Sequence, residues 1–333
     1  MKVVIAGGSG HLGTLLARAR SKAGDEVVVL SRTPQPGPWR VVGWDARTVG
    51  EWANELDGAG VVVNLAGRSV NCRYTEENRR AIMDSRVESA RAIGEAVARA
   101  ANPPRVWLQI STATIYAHRY DAANDEASGI IGGSEPGAPK AWRFSIGVAQ
   151  AWERTVGEAA LGRTRTVLLR SAVAMSPESG GPFDILLRLV RFGLGGTSGD
   201  GRQYVSWIHD ADFVRAIDWI VRDAALSGPV NLAAPNPLPN AAFMRDLRRA
   251  WGIPVGLPSP GWMLGIGARL LGTETELVLK SRFVAPGRLA AAGFRFAYPR
   301  WDAAARDLCA RWRRAHGALP ADATSPRPPA AAR

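Results

Sequence analysis

The sequence has little cysteine, little lysine and no long apolar run. Cys72 and Cys309 are the only cysteines in 333 residues. Two are too few for a disulfide framework, and neither stands in metal-ligand spacing. A reducing, cytoplasmic setting with no metal site is therefore expected. No stretch approaches the roughly 20 apolar residues of a membrane span, so no membrane partner is expected. The chain opens directly on a strand pattern, and no secretory leader is expected. Lysine occurs only at Lys2, Lys22, Lys140 and Lys280, so the net charge of +12 is carried almost entirely by arginine. Those arginines are spread over many helices rather than interleaved with aromatics. They read as a compositional bias that suits an anionic cofactor or substrate, not as a nucleic-acid surface.

What is present begins at the first residues. Lys2-Val3-Val4-Ile5-Ala6 reads as a buried strand and Leu15–Arg20 as a helix. Between them stand Gly7, Ser9, Gly10, His11, Leu12 and Gly13. Glycines at this spacing let a strand turn sharply, bring backbone N–H groups near a pyrophosphate and let the helix pack on the sheet. The helix N-terminus adds a partial positive charge. A glycine-rich turn without a ligand is the structural alternative.

Apolar runs and helical patterns then alternate. Strands are expected at Val3–Ala6, Glu26–Leu30, Arg40–Trp44, Val61–Leu65, Val106–Ser111 and Arg165–Arg170, with helices at His11–Lys22, Val49–Leu56, Glu76–Arg99 and Ala141–Ala160. Nearly unbroken apolar strands indicate a parallel sheet covered on both faces. The fold class is α/β, a Rossmann-type doubly wound sheet with a smaller mixed C-terminal lobe. The expected division is a dinucleotide-binding domain over 1–170, to which later segments return, a substrate lobe over 171–317, and a Pro/Ala-rich disordered tail over 318–333. Within the lobe, helices are expected at Asp184–Arg191, Asp210–Arg222 and Ala241–Trp251.

The second strand ends Leu30-Ser31-Arg32. The carboxylate that an NAD site uses for the ribose hydroxyls is missing there. Ser31 and Arg32 suit a 2′-phosphate instead, so NADP(H) is expected. Asp45 at the end of the third strand is a candidate for the adenine edge or, alternatively, a helix cap. Leu65, Ala66 and Gly67 end the fourth strand and let backbone approach the cofactor.

These residues resemble the extended short-chain dehydrogenase/reductase superfamily. More narrowly, the chain resembles the atypical epimerase family that ends in a small C-terminal domain of unknown function. The blocks are Ser31-Arg32, Trp44-Asp45, Asn64–Gly67, Asp84-Ser85-Arg86-Val87, Gly199–Gln203, Ser206–His209, Val230-Asn231-Leu232 and Ala292–Phe296. The resemblance implies that Ser85 and Ser111 lie by the cofactor and that Thr112 takes the catalytic hydroxyl position. Capping of the next turn is the structural alternative for Thr112. The superfamily's Tyr and the Lys four residues later are absent: Ser145 and Ala149 occupy their slots, and none of the five tyrosines has Lys four residues on. Tyr116 and His118, in a loop after the fifth strand, are the proton-transfer candidates. For substrate contact the candidates are Trp142, Arg202, Gln203, Trp207 and His209, each with a surface or structural alternative.

Two functions fit. One is an NADP(H)-dependent oxidoreductase or epimerase acting on a small organic substrate without the Tyr–Lys pair. The other is a non-catalytic NADP(H)-binding sensor or regulator. A nucleotide-sugar epimerase of the ordinary kind suffers from the missing pair. Monomer and homodimer both remain open.

Overall fold

Val3-Val4-Ile5, Val27–Leu30 and Val61–Val63 carry almost no polar side chain and are buried on both faces. Only a parallel sheet sandwiched between helices hides such strands. The computed structural model describes residues 1–159, 161–261, 274 and 276–317. Its main sheet uses β1 (Lys2–Ala6), β2 (Glu26–Ser31), β3 (Arg40–Gly43), β4 (Val61–Asn64), β5 (Val106–Thr112), β6 (Arg165–Ser171) and β10 (Gly228–Leu232). The short strands β7 (Val173–Met175), β8 (Tyr204–Val205), β9 (Trp207–His209) and β11 (Leu238–Pro239) lie outside it. The seven are all parallel, in the order β10-β6-β5-β4-β1-β2-β3. Strand order reverses between β1 and β4, the point where such sheets open a ligand crevice.

The helices are α1 (His11–Lys22), α2 (Glu76–Arg99), α3 (Lys140–Gly157), α4 (Pro182–Arg191), α5 (Asp210–Arg222), α6 (Asn240–Trp251), the short α7 (Glu276–Leu279) and α8 (Gly287–Ala291), and α9 (Trp301–Ala315). Thr75 caps α2 by accepting from Asn78 N at 3.2 Å, and Glu76 and Glu77 complement its dipole. The expected helix at Val49–Leu56 is a 3-10 helix over Glu51–Leu56. The last residue of the helix expected at Ala141–Ala160 lies outside the described residues, as does the expected disordered tail over 318–333.

The expectation of six strands missed β10. Gly228-Pro229 looks like a breaker, but β10 is an edge strand, where Pro need not donate to a neighbour. With α5 the chain therefore returns to the first unit: Phe213, Ala216 and Ile220 join the core built on β1, β2 and β4. A second core joins α4, α6 and α9 through Phe183, Leu187, Phe243, Leu247, Trp301 and Trp312.

Candidate functional site

The turn after β1 is shaped by contacts that allow no side chain. Gly7 has φ +74°, and a Cβ there would lie 2.8 Å from Ala66 N. A Cβ on Gly13 would lie 2.4 Å from Gly8 Cα, so α1 can seat against the turn only with glycine. Gly10 differs. A Cβ there would meet only Gly7 O, at 3.4 Å, and the space above it is open. Gly10 is also the N-cap of α1, which has no side-chain cap and no acidic residue in its first turn. The N–H groups at His11, Leu12 and Gly13 thus have no intrahelical acceptor and are positioned for an anion. Ser31 Oγ donates to Ser9 Oγ at 3.2 Å, tying the end of β2 to the turn. Arg32 is exposed and has no ion-pair partner among the described residues. Asp45 accepts from Arg47 N, Thr48 N and Thr48 Oγ1, and the Thr48 hydroxyl leads in holding its pKa below the usual carboxylate range. Its carboxylate is therefore occupied as a turn cap. Ser85 Oγ accepts from Arg68 N at 3.0 Å and pins the loop after β4 to α2.

A cavity of about 230 Å³ lies beside this cradle, at the carboxyl ends of β4 and β5. Leu65, Ala66 and Gly67 form one side, Ser111, Thr112 and Thr114 the floor, and Phe144, Ser145, Val148, Ala149 and Trp152 of α3 another wall. A larger hollow of about 800 Å³ lies near Met1, Arg20 and Arg165. It is at the amino ends of the strands, where sheets of this kind do not bind ligands. Thr112 Oγ1 accepts from Thr114 N at 3.1 Å, so it both caps the turn and faces the cavity. Ser111 Oγ donates to Glu153 Oε1 at 2.6 Å. Glu153 is in turn gripped by Arg170 through two bonds of 2.9 and 2.7 Å.

The slots of the missing Tyr–Lys pair are filled from elsewhere in the chain. Ala149 is fully buried in the Lys slot. Ser145, in the Tyr slot, donates to Glu276 Oε2 at 2.5 Å and lies 3.3 Å from Tyr74 OH. Glu276 is 1% exposed, and its other oxygen, Oε1, has no hydrogen-bond partner among the described residues. Burial raises its pKa against the opposing pull of Arg282. Burial likewise pushes Tyr74 up to about 12. Arg282 Nε donates to Thr114 Oγ1 at 3.1 Å, and Lys280 Nζ to Thr114 O at 2.5 Å. The segment 276–282 thus brings Glu276 and Arg282 to the cavity, with Lys280 buried in the same segment.

Several expected site residues stand elsewhere. Tyr116 is 2% exposed and does not line the cavity: its hydroxyl donates to Asn231 Oδ1 at 2.9 Å and accepts from Arg170 at 3.0 Å. It is a buried link between β5, β6 and β10. His118 Nδ1 accepts from Ser281 N at 2.9 Å, and its ring lies 4.7 Å from Trp142 and 5.0 Å from Tyr120. Exposed Arg202 sits over Tyr120, so His118, Trp142 and Arg202 form an outer cluster behind segment 276–282. Gln203 is buried and donates to Ser198 O and Val278 O, a structural role. Trp207 is fully buried in the second core against Trp301. His209 caps α5 by accepting from Ala211 N, meets Asp307 Oδ2 at 3.0 Å and stacks on Tyr298. For Trp207 and His209 the structural alternative is the one realised, whereas Gln203 is buried rather than in the surface loop expected as its alternative.

Sequence reasoning overlooked Glu276, Lys280, Arg282, Arg86 and Tyr74. One signal was available: Glu276 and Lys280 bracket the apolar run Leu277-Val278-Leu279, and charges in such a run are either a solvated face or a buried site.

The model of the NAD dependent epimerase/dehydratase family matches residues 3–233, and that of a domain of unknown function, DUF1731, matches 259–308. Epimerase family protein SDR39U1 of Bos taurus is 30% identical over 93% of this chain and all of its own length. Epimerase family protein YfhF of Bacillus subtilis is 30% identical over 93% of this chain and 98% of its own. Among solved structures, human SDR39U1 with NADPH aligns at TM-score 0.81 and 28% identity, covering 93% of this chain and 99% of that one. The UDP-N-acetylglucosamine 4-epimerase of Bacillus cereus aligns at TM-score 0.71 with 15% identity over 94% and 99%, a likeness of fold alone.

Proposed function

We propose, from the premise that this chain belongs to the NAD dependent epimerase/dehydratase family in its atypical short-chain dehydrogenase/reductase branch, that it is an NADP(H)-dependent oxidoreductase or epimerase-like enzyme of a small organic substrate. The observation that carries this reading is the Ser145–Glu276 pair in the slot of the missing tyrosine, facing Thr112 across the cavity.

The chain fits the cofactor. Gly10 leaves open space at an uncapped helix N-terminus, which suits a pyrophosphate. Ser31 and the unpaired guanidinium of Arg32 suit a 2′-phosphate, and no carboxylate at the end of β2 opposes it. When bound, NADP(H) supplies or accepts the hydride. The chain's own residues do the rest. Thr112 Oγ polarises a substrate oxygen. Glu276, whose pKa burial raises, is placed to pass a proton from Oε1 while Ser145 Oγ fixes its other oxygen, and the apolar walls exclude water. Human SDR39U1 with NADPH supports the choice of cofactor by kinship. The relatives' family supports catalysis over a purely sensory role.

Fluorescence titration with NADPH and NADH tests the cofactor. Arg32→Ala is expected to weaken NADPH by about tenfold or more, since a charge-assisted bond contributes ~1.5–3 kcal/mol, and to spare NADH. Equal weakening of both refutes the assignment. For the chemistry, Thr112→Ala and Glu276→Gln should each abolish oxidation of NADPH by a carbonyl substrate found in a screen while leaving NADPH affinity intact. Unchanged turnover in either variant removes that residue from the mechanism.

A further inference from the structure

Two arginines packed into this fold are held by carboxylates. Arg170 grips Glu153, and Arg311 grips Asp210 through bonds of 2.7 and 2.6 Å. Their carboxylate partners hold both guanidinium pKa values above the usual arginine value. Arg86 is held differently. It lines the cavity from α2, and no carboxylate pairs with it among the described residues. Among the described residues its side chain makes one hydrogen bond, from NH1 to Ile82 O in its own helix, at 3.0 Å. Its Cζ lies 5.1 Å from the Trp152 ring. Burial pushes its pKa down to about 10.

Arg86 is half-buried, and a partly desolvated cation without an anion costs stability that an apolar side chain of similar length would not. A guanidinium has five N–H donors, and most of these are not taken by the chain. The backbone around Arg86 also makes room for it. A Cβ on Gly67 would lie 3.3 Å from Arg86 Cζ, so any larger residue at the exit of β4 would crowd the guanidinium. We propose that Arg86 is an anion subsite of this cavity and that the substrate is a small carboxylic acid whose carboxylate it binds. Carboxylate geometry matches the planar guanidinium fork. The apolar faces of Val70, Phe144 and Val148 suit a short hydrocarbon body. A cavity of about 230 Å³ is below the ~300–1,000 Å³ of drug-sized pockets and suits a small substrate. The inference rests on the proposed function only in taking this cavity as the substrate site.

The test uses the full chain with propionate and propionamide, which share a shape and differ in charge, read by thermal shift and calorimetry with and without NADP⁺. Propionate is expected to raise the wild-type Tm and to bind at least tenfold more tightly than propionamide. Arg86→Met should raise the Tm of the ligand-free protein, abolish the propionate response and leave NADPH affinity unchanged. Arg86→Lys should keep part of the response. A purely structural arginine would instead lower the Tm on replacement by Met and leave the response to propionate intact. Equal effects of propionate and propionamide overturn the proposal. So does a tenfold loss of NADPH affinity in Arg86→Met with propionate competing against NADPH, because the anion would then be the cofactor's own phosphate. Absence of NADPH binding in the wild type defeats the proposed function, whereas the propionate response of the cofactor-free protein still decides the role of Arg86.

Discussion

Lys280→Met should change how the stability of this protein depends on pH. Lys280 is 1% exposed, and its ammonium donates to Thr114 O at 2.5 Å. Burial, followed by the nearby Arg282, pushes its pKa from 10.5 down to about 8, against weaker pulls from Glu276 and Glu135. The unfolded chain therefore holds this proton up to about pH 10.5, while the folded chain releases it near pH 8. Between those values the unfolded state binds more protons, so folding stability rises with pH. Below about pH 8 the cost of the buried charge is present in full. At ~1.4 kcal/mol per pKa unit the difference amounts to about 3 kcal/mol. Methionine keeps the stem and removes the charge, but leaves Thr114 O without its donor, which costs about 1–3 kcal/mol at every pH. The two effects nearly cancel at neutral pH, so the midpoint there is a poor readout. The informative quantity is wild-type minus variant stability from urea unfolding, followed by tryptophan fluorescence from about pH 7.5 to about pH 10.5. Surface titrations common to both proteins drop out. The difference should move in favour of the wild type by about 3 kcal/mol across that window. A flat difference refutes the reasoning. A difference that moves the other way means that Glu276 and Glu135 hold Lys280 as a cation, so that pairing outweighs burial.

Two further outcomes follow from contacts already described. Gly13→Ala places a methyl 2.4 Å from Gly8 Cα and 2.6 Å from Gly7 O, both backbone atoms that cannot swing aside. It should cost ~1–3 kcal/mol of stability in urea unfolding and weaken NADPH binding in the same protein. Unaltered NADPH affinity would separate the turn from the cofactor. Glu153→Gln leaves Arg170 buried without a counter-charge and should cost ~3–5 kcal/mol, measured by the same unfolding assay. A loss below about 1 kcal/mol would mean that Tyr116 and solvent suffice for Arg170.

The glycine turn after β1 was legible because its constraints are local. Gly7, Gly10 and Gly13 act through contacts with residues a few positions away or with the adjoining strand. Ser31 and Arg32 follow directly from where β2 ends. The strands were legible because unbroken Val and Ile runs have few other places to go. The Ser145–Glu276 pair was not legible. Glu276 lies 131 positions beyond Ser145, and nothing in a local pattern says which of the many carboxylates will be folded over α3. The same holds for His209 and Trp207, whose neighbours Asp307, Tyr298 and Trp301 come from the last segments of the chain.

The sequence alone determined the glycine turn between β1 and α1 and the absence of the Tyr–Lys pair, because both are statements about residue type at short spacing. Tertiary structure alone decided what stands in the vacant place. The long-range return of segment 276–282 to the carboxyl ends of β4 and β5 buries Glu276 and Lys280 and brings Glu276 and Arg282 to a cavity where Arg86 has no carboxylate partner among the described residues. Burial and pairing set the protonation and binding properties of those groups, and both are properties of the packed molecule rather than of any stretch of its sequence.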